Sequence, residues 1–233
     1  MLLAELEVFH TRPAVPTRRV ALGHMVLPVE PPPGFGGVLL GAVVAQHIVG
    51  VHVDLLPDVR RLIDEVERGE RIVQPRLRHR YQADRHGLSH SRHRLVGEGD
   101  DIEFDFAATG SDLAQVLGAI YATERLDVAS RHLVAPVLRK SMRWRGPIGP
   151  ALIAYLGGSQ AHELASLADP LAWALTVLGF PPGSERPTNK EITRSYRTRM
   201  RAVHPDHGGD RTTASKEILD LNAARRILSR KEP

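Results

Sequence analysis

The strongest constraint on the fold of this chain is the stretch AVHPDHGGD at residues 202–210, where an amphipathic helix has to stop. Pro205 has no amide hydrogen and its ring would clash with the preceding turn, so a helix cannot continue through it. His204 precedes a proline and is therefore directed toward extended dihedral angles. Because two glycines and then a second amphipathic segment follow, the stretch predicts two antiparallel helices joined by a loop that presents His204, Pro205 and Asp206.

The helix before this loop is predicted to have an apolar face and an opposite basic face. At about 100° per residue, the segment NKEITRSYRTRMRAV divides its side chains between two sides. The apolar side carries Ile192, Tyr196, Met200 and Val203. The basic side carries Lys190, Arg194, Arg197 and Arg201. In the segment after the loop, the residues expected to point inward are Ile218, Leu221, Ala224 and Leu228.

Positive charge is concentrated in the same part of the chain. Residues 185–231 contain twelve Lys and Arg against six Asp and Glu, whereas residues 1–184 contain nineteen against twenty. A local positive field favours an acidic protein surface, nucleic acid or anionic lipid, and charge alone does not choose among these partners.

The composition indicates a globular cytoplasmic protein. With 233 residues, of which 42% are hydrophobic, the chain is long enough for a large domain or for a medium domain and a small one. It contains no cysteine, which excludes disulfide frameworks, thiolate zinc sites and cysteine nucleophiles and fits a reducing compartment. The opening MLLAELEVFH does not have the pattern of a secretion signal, and the longest apolar run, 37–53, is too short and too interrupted for a membrane span.

The order of the sequence patterns predicts an α+β fold with two domains. Strands are expected in residues 1–35 and again in 71–106, whereas the apolar run at 37–53 fits either a buried helix or a buried strand pair. The helical segments expected in the first domain are 57–69, 111–126, 127–140 and 150–167, with Ser111 as an N-cap. We place the boundary near residue 168, which gives an N-terminal domain (1–168) and a small all-helical domain (169–233).

The C-terminal region, roughly residues 170–230, resembles the J-domain of DnaJ-type co-chaperones. WALTVLGF resembles the first J-domain helix with its Leu-Gly pair, EITRSYRTRMRAVHPDHGGD resembles the second helix with its His-Pro-Asp loop, and EILDLNAARRILS resembles the third helix. A His-Pro-Asp tripeptide alone is weak evidence. The spacing of Ile192 and Tyr196, the glycine pair and the Asn222-Ala223-Ala224 run make the resemblance specific.

Membership of this family would imply a function for each part of the helical domain. The resemblance implies that His204, Pro205 and Asp206 stimulate ATP hydrolysis by a DnaK-type chaperone. It also implies that the chaperone's acidic nucleotide-binding domain docks on Lys190, Arg194, Arg197 and Arg201. The residues expected to support this surface from the core are Ile192, Tyr196, Val203, Leu221 and Leu228.

The chain also departs from the family pattern at several positions. Arg199 falls in the apolar stripe where the family usually has Leu, Arg225 replaces the usual aromatic residue, and Leu175 stands at a usual Tyr position. We expect Arg199 to lay its aliphatic stem along the core and to keep its guanidinium in water. The short fourth helix of many members has no counterpart before Pro233, so stimulation of the chaperone is expected to be weak or specialised.

Nucleic acid is the alternative partner of this chain. In the stretch RLRHRYQADRHGLSHSRHR (76–94), arginines could contact phosphates and Tyr81 could stack on a base, although the polar edges of a strand pair are the favoured interpretation. The alternative function is a nucleic-acid-binding protein with a basic, J-like hairpin.

No catalytic constellation, cofactor motif or metal-ligand spacing is recognised, so we predict an adaptor without enzymatic activity whose N-terminal domain binds a protein client.

Overall fold

The computed structural model describes residues 1–12, 18–70, 77–98, 101–157, 170–180, 186–203 and 214–229. The chain divides into two compact units. The first comprises Met1–Val96 and Ile102–Leu164, and the second comprises Ala165–Pro233 and Gly97–Asp101. A five-stranded mixed sheet together with eight α-helices in the described ranges confirms the predicted α+β fold class. The predicted boundary near residue 168 lies outside the described residues.

The sheet of the first unit has the strand order β3-β2-β1-β4-β5. Its strands are β1 (Leu2–His10), β2 (Arg18–Val26), β3 (His79–Tyr81), β4 (Ser89–Glu98) and β5 (Asp101–Ala107). The central strand β1 runs antiparallel to both β2 and β4, whereas β3 runs parallel to β2. Strands in the first 35 residues and in 71–106 are therefore confirmed.

The helices of the first unit are α1 (Gly34–His47), α2 (Leu56–Glu67), α3 (Asp112–Glu124), α4 (Val128–Ser141) and α5 (Pro150–Gly157). The apolar run after residue 37 forms α1, whose residues 34–45 are all buried, so a helix and not a strand pair is correct. Helices apolar on every side occupy the interior of a fold. Residues 158–167, the rest of the last predicted helix of this domain, lie outside the described residues.

Side-chain caps start two of these helices, and the sequence predicted one of the two. The Ser111 hydroxyl accepts a hydrogen bond from the amide of Ala114 at 3.4 Å, which confirms Ser111 as the N-cap of α3. At the start of α4, the Asp127 carboxylate accepts from the amide of Ser130 at 3.0 Å. Such bonds satisfy amides that have no partner within the helix.

Helices α1 and α3 pack against β1, and a glycine sets the approach of α3. A Cβ placed on Gly118 would lie 2.5 Å from the Cγ2 atom of Val8, closer than two carbon atoms can pack. Both Val8 and the helical residues around Gly118 are fully buried. The absence of a side chain at Gly118 therefore allows the helix to lie directly on the strand.

The second unit contains α6 (Pro170–Leu178), α7 (Asn189–Val203) and α8 (Ala214–Ser229). These three helices enclose one apolar cluster, whose buried members are Trp173, Ala174, Leu175, Leu178, Ile192, Leu221, Ala224 and Leu228. No helix in the described ranges is long and apolar enough to cross a bilayer.

Candidate functional site

Helix α7 has an apolar face that belongs to the core of the second unit. Ile192 is 1% exposed, and Tyr196, Met200 and Val203 pack against the cluster while partly buried. From α8, Leu221 and Leu228 complete the same cluster and are 4% and 2% exposed. The apolar side of α7 that the sequence periodicity predicted is therefore confirmed.

The opposite side of α7 forms an exposed basic groove of about 470 Å³. The groove is lined by Lys190, Thr193, Arg194, Arg197, Thr198 and Arg201, and all four cations are exposed. The Thr193 and Thr198 hydroxyls donate to the carbonyl groups of Asn189 and Arg194, at 2.8 and 3.0 Å, so both hydroxyls are directed to the backbone of their own helix. In the part of the chain that the structure describes, no salt bridge neutralises any of the four cations, which leaves their field directed at solvent.

A capping box fixes where α7 begins. The Glu191 carboxylate accepts from the Thr188 amide at 2.8 Å and from its hydroxyl at 2.7 Å, while the Thr188 hydroxyl lies 3.4 Å from the Glu191 amide. These hydrogen bonds from Thr188 lower the pKa of Glu191 below its ordinary value. Glu191 is thus held at the helix start and does not pair with the basic groove.

Contacts between α7 and α8 show that the two helices run antiparallel. Near the start of α7, Arg186 donates to the carbonyl groups of Ile227 and Leu228 at 3.4 and 3.3 Å. About two turns into α7, the Tyr196 hydroxyl donates to Asn222 Oδ1 at 2.8 Å. Since a later residue of α7 meets an earlier residue of α8, the predicted antiparallel arrangement is confirmed.

The structure shows the surroundings of the three residues that depart from the J-domain pattern. The Arg225 guanidinium lies 4.8 Å from the centroid of the Tyr196 ring, so a cation–π contact occupies the place of an aromatic pair. Arg199 is exposed, and its guanidinium lies over Gly179, where a Cβ would be 2.7 Å from the Arg199 Cζ atom. Leu175 is 4% exposed and packs in the apolar cluster.

The predicted His-Pro-Asp loop, His204, Pro205 and Asp206, lies outside the described residues. Helix α7 is described as far as Val203, and the Ser195 hydroxyl hydrogen-bonds to the carbonyl oxygen of Leu178 in α6. Arg201, the last cation of the groove, is three residues before His204 in the sequence. The groove and the loop are therefore neighbours along the chain.

In the Arg- and His-rich stretch of the first unit, Tyr81 does not present its ring for base stacking. The ring is stacked on that of the fully buried Tyr121, with centroids 4.5 Å apart, and its hydroxyl accepts from Arg125 Nε at 3.0 Å. The suggestion that Tyr81 stacks on a base is therefore wrong. The stretch forms the strands β3 and β4, but the predicted strand pair is wrong, because β2 and β1 lie between these two strands in the sheet.

The sequence did not reveal a buried polar network between the sheet and α3. His93 Nε2 lies 2.9 Å from Gln115 Oε1, and the Gln115 side-chain amide donates to the Thr109 carbonyl at 2.6 Å and to Ser91 Oγ at 3.0 Å. His10 Nε2 lies 3.1 Å from the hydroxyls of both Ser91 and Thr109. Three strand and loop segments that are distant in sequence are thus joined by hydrogen bonds.

Burial keeps the histidines of this network uncharged. His93 is fully buried, and burial lowers its pKa to about 4, with the Gln115 hydrogen bond opposing the shift. Burial also lowers the pKa of His10. Ser91 is 0% exposed, so its hydroxyl has no access to a substrate and the network is structural. Among the described residues, no three His, Asp or Glu side chains are placed to hold a metal ion.

No protein-family model matches the chain, and no solved structure matches it.

Proposed function

We propose that this protein is an adaptor that recruits a DnaK-type chaperone through its second unit and stimulates the ATP hydrolysis of that chaperone. In this proposal the basic groove of α7 docks on an acidic surface of the chaperone, and His204, Pro205 and Asp206 act at the adjoining contact. The first unit directs the complex to a protein client.

The observation that carries the proposal is the division of α7 into a buried face and a basic face beside the His-Pro-Asp sequence. Ile192 fixes one side of the helix in the core, so the groove cations Lys190, Arg194, Arg197 and Arg201 all face solvent together. A row of exposed cations raises the association rate with an acidic partner and makes the rate dependent on salt. Recruitment of this kind needs a rigid helix, which the Thr188–Glu191 capping box and the contacts with α8 provide.

The experiment is single-turnover ATP hydrolysis by a DnaK-type chaperone, with a working J-protein as the positive control. The intact chain is expected to accelerate hydrolysis, less strongly than the control because of Arg199 and Arg225. Unchanged turnover at saturating concentration of the chain, with an active control, rejects the proposal.

A pair of charge variants tests the docking surface separately. Arg197→Ala removes a groove cation and is expected to reduce acceleration, with a smaller reduction at high salt because salt screens the charge that this variant removes. Arg226→Ala removes an exposed cation from the last turn of α8, away from the groove lining, and is expected to leave acceleration unchanged. Equal effects of the two variants would assign the interaction to net charge and contradict docking on α7.

A further inference from the structure

The sheet of the first unit has a second face, opposite to the one that contacts α3. Residues paired across neighbouring strands point to the same side of a sheet. Val8 and His93 lie on the side that contacts α3, so the residues that alternate with them point the other way. We call this side the outer face. Its residues on β1 and β4 are Glu5, Glu7, Phe9, His90, Arg92 and Arg94, and the register of β2 and β3 adds Arg19, Ala21 and Arg80.

The outer face carries an aromatic stack that is open on one side. The rings of Phe9 and His90 have centroids 4.7 Å apart and an interplanar angle of 31°, and His90 is exposed. Arg85 is also exposed, and its guanidinium lies 5.3 Å from the Phe9 centroid. A Cβ on Gly23 would lie 2.7 Å from Phe9 Cε2, so the glycine leaves room for the ring. A further flat ring can extend this stack on the exposed His90.

The half of the sheet formed by β2 and β3 is strongly cationic. In the described residues, 18–26 contain Arg18 and Arg19 and 77–83 contain Arg78 and Arg80, and neither range contains Asp or Glu. On the outer face these arginines include Arg19 and Arg80, which are directly paired between the two strands. In the described residues, no salt bridge involves Arg19, Arg80 or Arg85. Asp84, next to Arg85, accepts a hydrogen bond from the His86 amide at 2.9 Å.

The carboxylates in the middle of the outer face are already paired. Glu5 Oε2 accepts from Arg94 Nε at 2.5 Å, and Glu7 Oε1 lies 3.1 Å from His90 Nε2. Burial of Glu7 opposes ionisation, but the His24 amide and His90 hold the pKa of Glu7 below its ordinary value. By contrast, β5 contains Asp101, Glu103 and Asp105 and no Lys or Arg. The charge distribution directs a polyanion to the β2–β3 half and away from β5.

We infer that the outer face binds a single-stranded polynucleotide, with a base stacked on His90 and phosphates on Arg19, Arg80 and Arg85. A sheet face with an exposed ring and several arginines provides the two interactions that single strands need, stacking and backbone charge. An acidic peptide would bind the arginines, but it has no regularly spaced aromatic ring that would stack on His90. This surface belongs to the first unit, so the inference does not depend on the proposed action of α7 on a chaperone.

The test is fluorescence anisotropy of a labelled 15-nucleotide oligouridylate with the full chain at several salt concentrations. Three phosphate contacts predict that log K falls with log salt at a slope of about −2, since each contact on a single strand contributes about 0.7. Arg80→Ala together with Arg85→Ala removes two contacts and reduces the slope to about −0.7. Arg60→Ala, an exposed arginine on α2, is the matched control and leaves affinity and slope unchanged.

Two variants of His90 separate stacking from charge. His90→Ala is expected to lower affinity on the order of fivefold without changing the salt slope. His90→Phe keeps an aromatic ring at this position and is expected to bind with unchanged affinity. If both variants lose affinity equally, stacking on His90 is wrong.

Three results would overturn the inference as a whole. The first is no binding of oligouridylate at low salt. The second is equal binding of a polyglutamate peptide, which would indicate a surface for acidic polypeptides. The third is loss of binding in Arg194→Ala with Arg201→Ala but not in the sheet variants, which would place binding on α7.

Discussion

Acidification is expected to destabilise the first unit through His93, before most carboxylates are protonated. His93 is enclosed by groups from three elements: Gln115 of α3, His47 of α1, whose ring centroid lies 5.8 Å away, and Phe106 of β5. Since Gln115 Oε1 accepts the proton of Nε2, protonation has to occur at Nδ1. Nδ1 is buried and has no hydrogen-bond partner in the described part of the structure. A proton placed there adds a charge and an unsatisfied donor to the core.

The size of the effect follows from the two protonation equilibria. The pKa of His93 is about 4 in the folded chain against 6.5 for an ordinary histidine, so the unfolded state binds more protons between these values. Stability therefore falls as the pH falls through this window, by about 2 kcal/mol between pH 7 and pH 5 and about 3 kcal/mol at pH 4. Burial also lowers the pKa of His10 and His79, which act in the same direction.

The measurement is urea unfolding at pH 7, 6 and 5 followed by the fluorescence of Trp144, in a Trp173→Phe background so that only the first unit is observed. His93→Gln retains a donor toward Gln115 but does not titrate, and it is expected to remove most of the loss between pH 7 and pH 5. His86→Gln makes the same change at an exposed histidine and should keep the full loss. A pH dependence that is identical with and without His93 would refute the reasoning.

Two further predictions concern glycines that contact other side chains. Gly118→Ala is expected to lower the free energy of unfolding by about 2 kcal/mol, because its Cβ would overlap Val8, whereas Gly149→Ala, with open space around it, should change it by less than about 0.5 kcal/mol. Gly179→Ala, at a φ of 78°, is expected to lower the stability of the second unit by about 1–2 kcal/mol. Urea unfolding measures both changes in stability. Combining Gly179→Ala with Arg199→Ala should recover only the part of the lost stability that is due to contact between the new Cβ and the Arg199 side chain.

The elements that were predictable from the sequence are those in which a local pattern determines the structure. The two faces of α7 follow from a 3.6-residue period, and Ser111 marks the start of α3 because a side-chain oxygen there satisfies an exposed amide. The apolar run that forms α1 could not be assigned in the same way. It is hydrophobic on every side, so it has no period that would distinguish a helix from a strand pair.

The features that were missed depend on contacts between residues distant in sequence. His10, Ser91 and Thr109 meet only because β1 and β4 pair in one particular register, which no local pattern specifies. The same holds for Tyr81, whose ring is covered by Tyr121 forty residues later. The strand β4 gives only a weak signal that His93 is buried: His93 alternates with Arg92 and Arg94 and shares its side of the strand with Ser91 and Leu95.

The most direct test of the proposed function compares the intact chain with Asp206→Asn in single-turnover ATP hydrolysis by a DnaK-type chaperone, with binding to the chaperone measured in parallel. The account predicts that Asp206→Asn still binds through the basic groove of α7 but no longer accelerates hydrolysis. Acceleration by Asp206→Asn equal to that of the unmodified chain would contradict it.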